Sequence, residues 1–251
     1  MFALQYLVEA QKLLEKIRAS QLDSIQRAAQ VMAASIAAGR AVHMFGSGHS
    51  VIPVLDIFPR YGAYVGFHPI MDPRLMWFNI TGPGGARELL WLERVEGYVK
   101  NMLLSHNLDP RDTMLVFSHG GMNAAPIEVA LGAREKGLTV VAVTSVANRQ
   151  LNEPAHSSGQ SLHDVADIVI DNCSPPEDAL VAIDGLAGKV AASSTLTAVA
   201  ISMALVAQTT AELAVQGALP ERVFVSPNVP GVARTNNEQV FLDYERFERH
   251  L

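Results

Sequence analysis

Two short clusters of glycine, hydroxyl and imidazole side chains stand out: Gly46-Ser47-Gly48-His49-Ser50 and Ser118-His119-Gly120-Gly121-Met122-Asn123. Each follows a short apolar run, Ala41–Phe45 and Met114–Phe117, and each opens a segment with helical spacing. Glycine lets a chain bend sharply as a strand ends. The first turn of the next helix leaves N–H groups free, and these groups and the helix dipole favour an anion. Ser47, Ser50, Ser118 and Asn123 add small donors without blocking approach, and Gly46, Gly48, Gly120 and Gly121 keep the backbone accessible. One such turn is ordinary loop chemistry. Two, each after a buried strand, point to a small-molecule site. The first lacks the third glycine of a dinucleotide fingerprint, and neither carries the Gly-Lys-Ser/Thr of a nucleotide-binding P-loop.

Proton transfer between adjacent carbons through an enediol needs a base, and opening a sugar ring needs an acid; a Glu and a His are the usual groups. His49 and His119 lie inside the two turns, and His156 begins the polar stretch His156-Ser157-Ser158-Gly159. His43 falls within an apolar strand and reads as a core histidine. Glu88, Glu93 and Glu96 share a polar helix on which surface carboxylates are expected. Glu128, one turn into the helix after the second cluster, reads as compensation of that helix's own dipole. Ser193, Ser194 and Thr195 open a late helix, where capping and ligand lining are both open. No His, Cys or carboxylate cluster has metal-ligand spacing, so neither metal nor cofactor is expected.

The elements that must hold these groups follow from periodicity. Spacings near three and four predict helix over 2–38, ended by Gly39. Strands are expected at 41–45, 63–67, 114–117, 139–144 and 168–171, with a last one at 223–226. Helices are expected at 86–104, at 127–136 with Pro126 in its first turn, at 188–216 and at 237–249. The alternation predicts an α/β fold: an open, mostly parallel, doubly wound sheet of flavodoxin-like topology flanked by helices. Its domain is expected over 39–251, with residues 1–38 as an N-terminal helical arm. In such sheets the ligand crevice lies outside the carboxyl ends of the strands.

Of 251 residues, 49% are hydrophobic and 18% charged, enough for a large core, and the net charge of −6 gives no reason to expect a nucleic-acid or membrane partner. The single cysteine, Cys173, excludes an intramolecular disulfide and fits a reducing, cytoplasmic compartment. Met1–Leu14 lacks the basic and continuous apolar regions of a signal peptide. Ala191–Ala207 comes nearest to a membrane span, but its Ser and Thr residues favour a buried helix.

Gly46-Ser47-Gly48-His49-Ser50 resembles the first ligand turn of SIS (sugar isomerase) domains, and SHGGMNAAPIEVALGAREKGLTVVAVTS, from Ser118 to Ser145, resembles their hallmark segment. HSSGQSLHDVADIVIDNCSPPEDALV, from His156 to Val181, and VFVSPNVPG, from Val223 to Gly231, are similar to the UPF0309 group of that family. ITGPGGARELLWLERVEG, from Ile80 to Gly97, more distantly resembles the N-acetylmuramic acid 6-phosphate etherases. The resemblance implies a SIS fold and a sugar-phosphate ligand held at the serine turns. It also implies a hydroxyl-bearing stretch at Ser193-Ser194-Thr195 lining the sugar, and a homodimer or tetramer. Glu96 matches the glutamate of the Val-Glu-Gly motif, which implies proton transfer by Glu96; His49 and His156 are the candidate catalytic histidines from their own places in the first turn and the loop at 156–159. One position departs: Gly120 stands where the family turn has a second phosphate-binding serine. The expected activity is aldose–ketose isomerisation of a sugar phosphate. A phosphosugar lyase, etherase or deglycase is the alternative, and a non-catalytic sugar-phosphate sensor is the reading from another class.

Overall fold

A computed structural model describes residues 1–251. Its centre is a five-stranded sheet: β1 (Val42–Gly46), β2 (Phe67–Pro69), β3 (Thr113–Phe117), β4 (Thr139–Thr144) and β5 (Ile168–Asp171), in the order β2-β1-β3-β4-β5. Every pair is parallel. β1 and β3 are buried along their whole length, as strands covered on both faces must be. The helices are α1 (Phe2–Ser20), α2 (Leu22–Ala37), α3 (Val51–Ile57), α4 (Ala86–Leu92), α5 (Tyr98–Leu103), α6 (Ala124–Glu135), α7 (Val146–Leu151), α8 (Leu162–Val165), α9 (Ser194–Val215) and α10 (Asn236–Glu248). Residues of α2, α3, α9 and α10 pack with Val42, Met44, Leu115 and Phe117 in one core layer. Residues of α4, α5, α6 and α8 pack with Phe45, Met114 and Val116 in the other.

Strand order reverses between β1 and β3, and that switch point is where open α/β sheets bind ligands. Gly46 is the register partner of Phe117, so the two serine turns leave the sheet side by side. At the opposite, amino ends of the same strands, Arg40 binds Asp112 through two bonds of 2.9 and 3.0 Å, and His43 Nε2 lies 3.1 Å from Asp112 Oδ2. His43 is thus a buried structural histidine, as its apolar strand implied.

The structure redraws several elements. The expected helix over 2–38 breaks at Gln21, whose Oε1 accepts the Asp171 N–H at 2.9 Å. α1 buries only Ala10 and Ile17, whereas α2 buries Ile25, Ala28, Ala29, Met32 and Ala33 against the sheet. The boundary at residue 38 therefore does not set off a free arm, since α2 is part of the domain's core. The expected helix over 86–104 divides at Gly97, which has a φ of 86°. The second strand runs over Phe67–Pro69 rather than 63–67. No strand forms at 223–226; Phe224 instead exchanges backbone bonds of 2.7 and 2.8 Å with Gly62 and Ala63. Residues 190–192 are not helical but form β7 (Val190–Ala192), paired antiparallel with β6 (Ala179–Val181). α9 is the one helix long and apolar enough to cross a membrane, and it places Ile201, Leu205, Val206 and Leu213 in the core.

Candidate functional site

The two turns enclose a crevice of about 280 Å³, walled by Ser47, Gly48, His49 and Ser50 on one side and by Ser118, His119, Gly120 and Asn123 on the other. A narrow cleft of about 10 Å³ continues it past Ser194 and Thr195, with room for roughly one water. Two glycines shape the turns from behind. A Cβ on Gly46 would stand 2.0 Å from the Ser50 carbonyl oxygen. Gly121 has a φ of 64°, and a Cβ there would meet Thr144 Oγ1 at 2.9 Å. Ser118 Oγ accepts the Gly121 N–H at 3.1 Å, which closes the second turn while leaving the hydroxyl proton free to donate. Around Gly120 the space is open: its Cβ would meet nothing nearer than Asn148 Oδ1 at 4.0 Å. The missing family serine is therefore not excluded by packing.

The carboxylate that reaches this crevice is Glu93. It stands just past the end of α4, only 7% exposed. Ser47 Oγ donates to its Oε2 at 2.8 Å, and Asn123 Nδ2 donates to its Oε1 at 2.8 Å. Its own carbonyl accepts the Ala125 N–H at 2.9 Å, which ties the end of α4 to the start of α6. One carboxylate thus touches a residue from each turn. Burial, which disfavours the charged form, raises its pKa above the ordinary glutamate value. The hydrogen bond from Ser47 offsets part of that rise.

Glu96, the expected proton-transfer group, does not line the crevice. Past the end of α4, it accepts bonds from the backbone N–H and the hydroxyl of Ser157. These bonds, that from the hydroxyl foremost, lower its pKa. His156 also lies outside the crevice. Its Nε2 is 3.8 Å from Glu96 Oε2 and 3.9 Å from Glu128 Oε1, and its Nδ1 is 2.8 Å from Ser158 Oγ. Glu128 accepts the N–H groups of Gly97, Val99 and Lys100, so it caps α5 rather than compensating its own helix. Glu96, His156 and Glu128 together fasten the loop at 156–158 to the α4–α5 junction.

Of the late hydroxyl stretch, Ser194 and Thr195 reach the narrow cleft and Ser193 does not. Asp178, at a φ of 61°, accepts the N–H groups of Ser193 and Ser194 at 3.0 and 2.6 Å and both their hydroxyls, so these serines are engaged in capping α9. His119 spans between Pro176 and Asn172, its ring nitrogens 3.4 Å from each. His49 sets its ring edge-on against Trp77, the centroids 4.5 Å apart.

Sequence reasoning missed Glu93 and the apolar side of the crevice: Trp77, Ala86, Leu89 and Leu90. A signal was present in the spacing. Ala86, Leu89, Leu90 and Glu93 recur at three, four and seven residues, one face of a helix, so Glu93 shares the face of the buried Leu89.

Comparison with known proteins places the chain. The SIS domain model matches residues 5–145. A UPF0309 protein of Caldanaerobacter subterraneus subsp. tengcongensis is 34% identical over 98% of each chain, and one of Brucella abortus is 36% identical over 90% of this chain and 88% of its own. Among solved structures, a phosphoheptose isomerase from Neisseria gonorrhoeae superposes with a TM-score of 0.49 at 11% identity, covering 82% of this chain and 95% of its own. With its sheet switch point, its paired serine turns and these full-length relatives, the chain belongs to the SIS domain family, among its UPF0309 proteins.

Proposed function

We propose that this protein binds a sugar phosphate in the crevice between the serine turns and moves a proton on the sugar, most simply as an aldose–ketose isomerase. The observation that carries the reading is Glu93: a buried carboxylate, hydrogen-bonded to Ser47 and Asn123, with its pKa raised toward the range useful to a general base. Membership of the SIS family and the hydroxyls of Ser47, Ser50 and Ser118 support a phosphorylated sugar as ligand. In this reading Glu93 takes the role that sequence resemblance suggested for Glu96.

The chemistry balances without an external reactant. His49, within the first turn, donates a proton to the ring oxygen and takes up the proton of the anomeric hydroxyl as the ring opens to the aldehyde. Ionised Glu93 removes the proton from carbon 2, the electron pair becomes the carbon 1–carbon 2 double bond, and the carbonyl pair moves onto oxygen 1 to give an enediolate. A hydroxyl proton passes from oxygen 2 to oxygen 1, and Glu93 returns its proton to carbon 1, giving the ketose.

A thermal-shift panel of pentose, hexose, heptose and amino-sugar phosphates tests the ligand class, because a ligand that binds only the native state raises its melting temperature. Incubation of the stabilising sugar in deuterium oxide then tests the reaction: NMR detects deuterium at the carbon that exchanges. If no sugar phosphate stabilises the protein, the reading fails at binding. Binding without exchange leaves a sensor rather than an enzyme.

A further inference from the structure

We propose that the crevice takes up a proton as the sugar phosphate enters, and that Glu93 is the group that takes it. The proposal rests on the sugar-phosphate reading above and concerns how that site adjusts its charge. A phosphate monoester carries a charge of about −1.5 to −2 at pH 7. No Lys or Arg lines the crevice or the narrow cleft behind it to balance that charge. The ionisable side chains there are Glu93, His49 and His119. His119 brings no positive charge. The buried Asn172 has its amide orientation set by the Ser174 N–H, which donates to Oδ1 at 3.0 Å. Its Nδ2 therefore donates to His119 Nδ1 at 3.4 Å, while His119 Nε2 donates to the Pro176 carbonyl at 3.4 Å. A ring that accepts at one nitrogen and donates at the other is neutral. His49 is exposed, so water screens the charges it faces.

Glu93 is placed differently. It is buried, and its two carboxylate oxygens are held by residues that line the crevice, Ser47 and Asn123, at 2.8 Å each. An anion that binds either residue lies about 4–6 Å from the carboxylate, the range over which like charges disfavour each other. The remaining charged groups do not offset this. Arg94, next in the chain, is exposed, directs Nη1 to the Leu90 carbonyl at 2.8 Å, and acts on Glu93 less than burial or Ser47 does. Arg87 and Glu88 of α4 are exposed and border a different cavity. Glu128 of α6 is committed to the N–H groups of Gly97, Val99 and Lys100. Proton uptake relieves the repulsion in two ways. It removes the negative charge, and it turns Glu93 from an acceptor into a donor. The Glu93 O–H then donates to Ser47 Oγ, and the Ser47 proton is free to turn to the phosphate. The proton comes from solvent and must return there before Glu93 can act on carbon 2.

Calorimetry of glucose 6-phosphate binding to the full chain, repeated in buffers of unlike ionisation enthalpy, counts the protons taken up. Glucose 6-sulfate is measured beside it, because its anion does not titrate near neutral pH. Affinity should be highest below the pKa of the empty site, fall by up to about tenfold per pH unit as pH rises toward that of the filled site, and level off above it. Glu93→Gln should bring the uptake with glucose 6-sulfate to zero and flatten its affinity between about pH 6 and 8, whereas His49→Gln should leave the uptake in place. If Glu93→Gln does not fold, NMR of the Glu93 carboxyl carbon in the wild type reads the same event: it should titrate about one pH unit or more higher with the sugar bound than without. Where the sulfate does not bind, wild type and variant are compared with glucose 6-phosphate, or with whichever sugar phosphate of the panel binds, since the ligand's own titration is common to both. Binding without proton uptake overturns the proposal and leaves the sugar-phosphate reading standing. So does uptake that survives Glu93→Gln or is lost in His49→Gln. Failure of every sugar phosphate to bind overturns both readings.

Discussion

Glu93 and Glu96 lie three residues apart at the end of one short helix, yet their surroundings drive them in opposite directions. Glu93 turns inward between the serine turns, loses its water and has its pKa raised by burial. Glu96 turns outward, accepts two bonds from Ser157 and has its pKa lowered by them. A carboxylate whose affinity for a proton is raised by burial suits catalysis; one held as an anion by hydrogen bonds suits a fastening. The difference teaches that a glutamate in a family motif is not placed in a site by the motif alone. How the chain turns after the end of α4 decides what it can do.

The sharpest way to break this contrast is Glu93→Gln. We expect sugar-phosphate affinity to survive and proton exchange into deuterium oxide to fall by roughly 10²–10⁴-fold, the range of a positioned general base. Glu96→Gln should leave the exchange rate within a few-fold. The opposite pattern, exchange lost at position 96 and kept at position 93, would reverse the roles proposed for the two residues.

A smaller effect separates the serines of the two regions. Ser118→Ala should weaken sugar-phosphate binding by roughly threefold to tenfold, equivalent to losing one hydrogen bond of about 0.5–1.5 kcal/mol. Ser157→Ala, at the fastening, should leave affinity unchanged. Gly120→Ser runs the other way. Its φ lies outside the left-handed region, and its Cβ would enter open space, so a serine fits without strain. Restoring the family hydroxyl should tighten phosphate binding by a similar factor, and unchanged calorimetric affinity would remove Gly120 from the phosphate site.

The strands that frame the crevice were legible because parallel, doubly covered strands are plain apolar runs, and the turns were legible because each run ends in glycine and serine. β4 and β5 match their expected limits, Thr139–Thr144 and Ile168–Asp171. Other features carried weaker signals. Residues 190–192 are exposed throughout, so β7 has no alternating pattern to betray it. The break at Gly97 was visible as a glycine within a helical run, but its cause, capping of α5 by Glu128 from another helix, is a tertiary contact. Glu93 stayed hidden because Glu88, Glu93 and Glu96 look alike on a polar helix. Spacing from Leu89 sets Glu88 apart but not Glu96, which also falls on that face seven residues on; the end of α4 at Leu92 is what separates Glu93 from Glu96.

Stability should record the same opposition more gently. Glu93 has a folded-state pKa above its unfolded value, so its contribution is full below the ordinary value and is lost as pH rises through the raised one. Above the raised pKa the ionised group is a cost that Glu93→Gln removes while Ser47 and Asn123 keep a polar partner. We expect that variant to be stabilised by about 1 kcal/mol, or about 2–4 °C in melting temperature, as inactivation at a strained site often allows. A lower melting temperature at pH 7 would show that the carboxylate is held more comfortably than its burial implies.

Glu96 obeys the reverse sign, and its effect is local. Its pKa is lowered from the ordinary 4.5, so its fastening of the loop at 156–158 is complete above that value and is lost as pH falls through the lowered one. Hydrogen exchange at Ser157, whose N–H is bound by Glu96, reads this directly. Its protection, corrected for the intrinsic exchange rate, should be constant from pH 7 down to about 5 and decline below 4.5. Glu96→Gln should lower protection at neutral pH and remove the acid-dependent decline. The exchange of crevice amides such as Gly121 should not follow it. If Gly121 loses protection together with Ser157, the crevice and the fastening move as one unit, and the separation drawn between Glu93 and Glu96 does not hold.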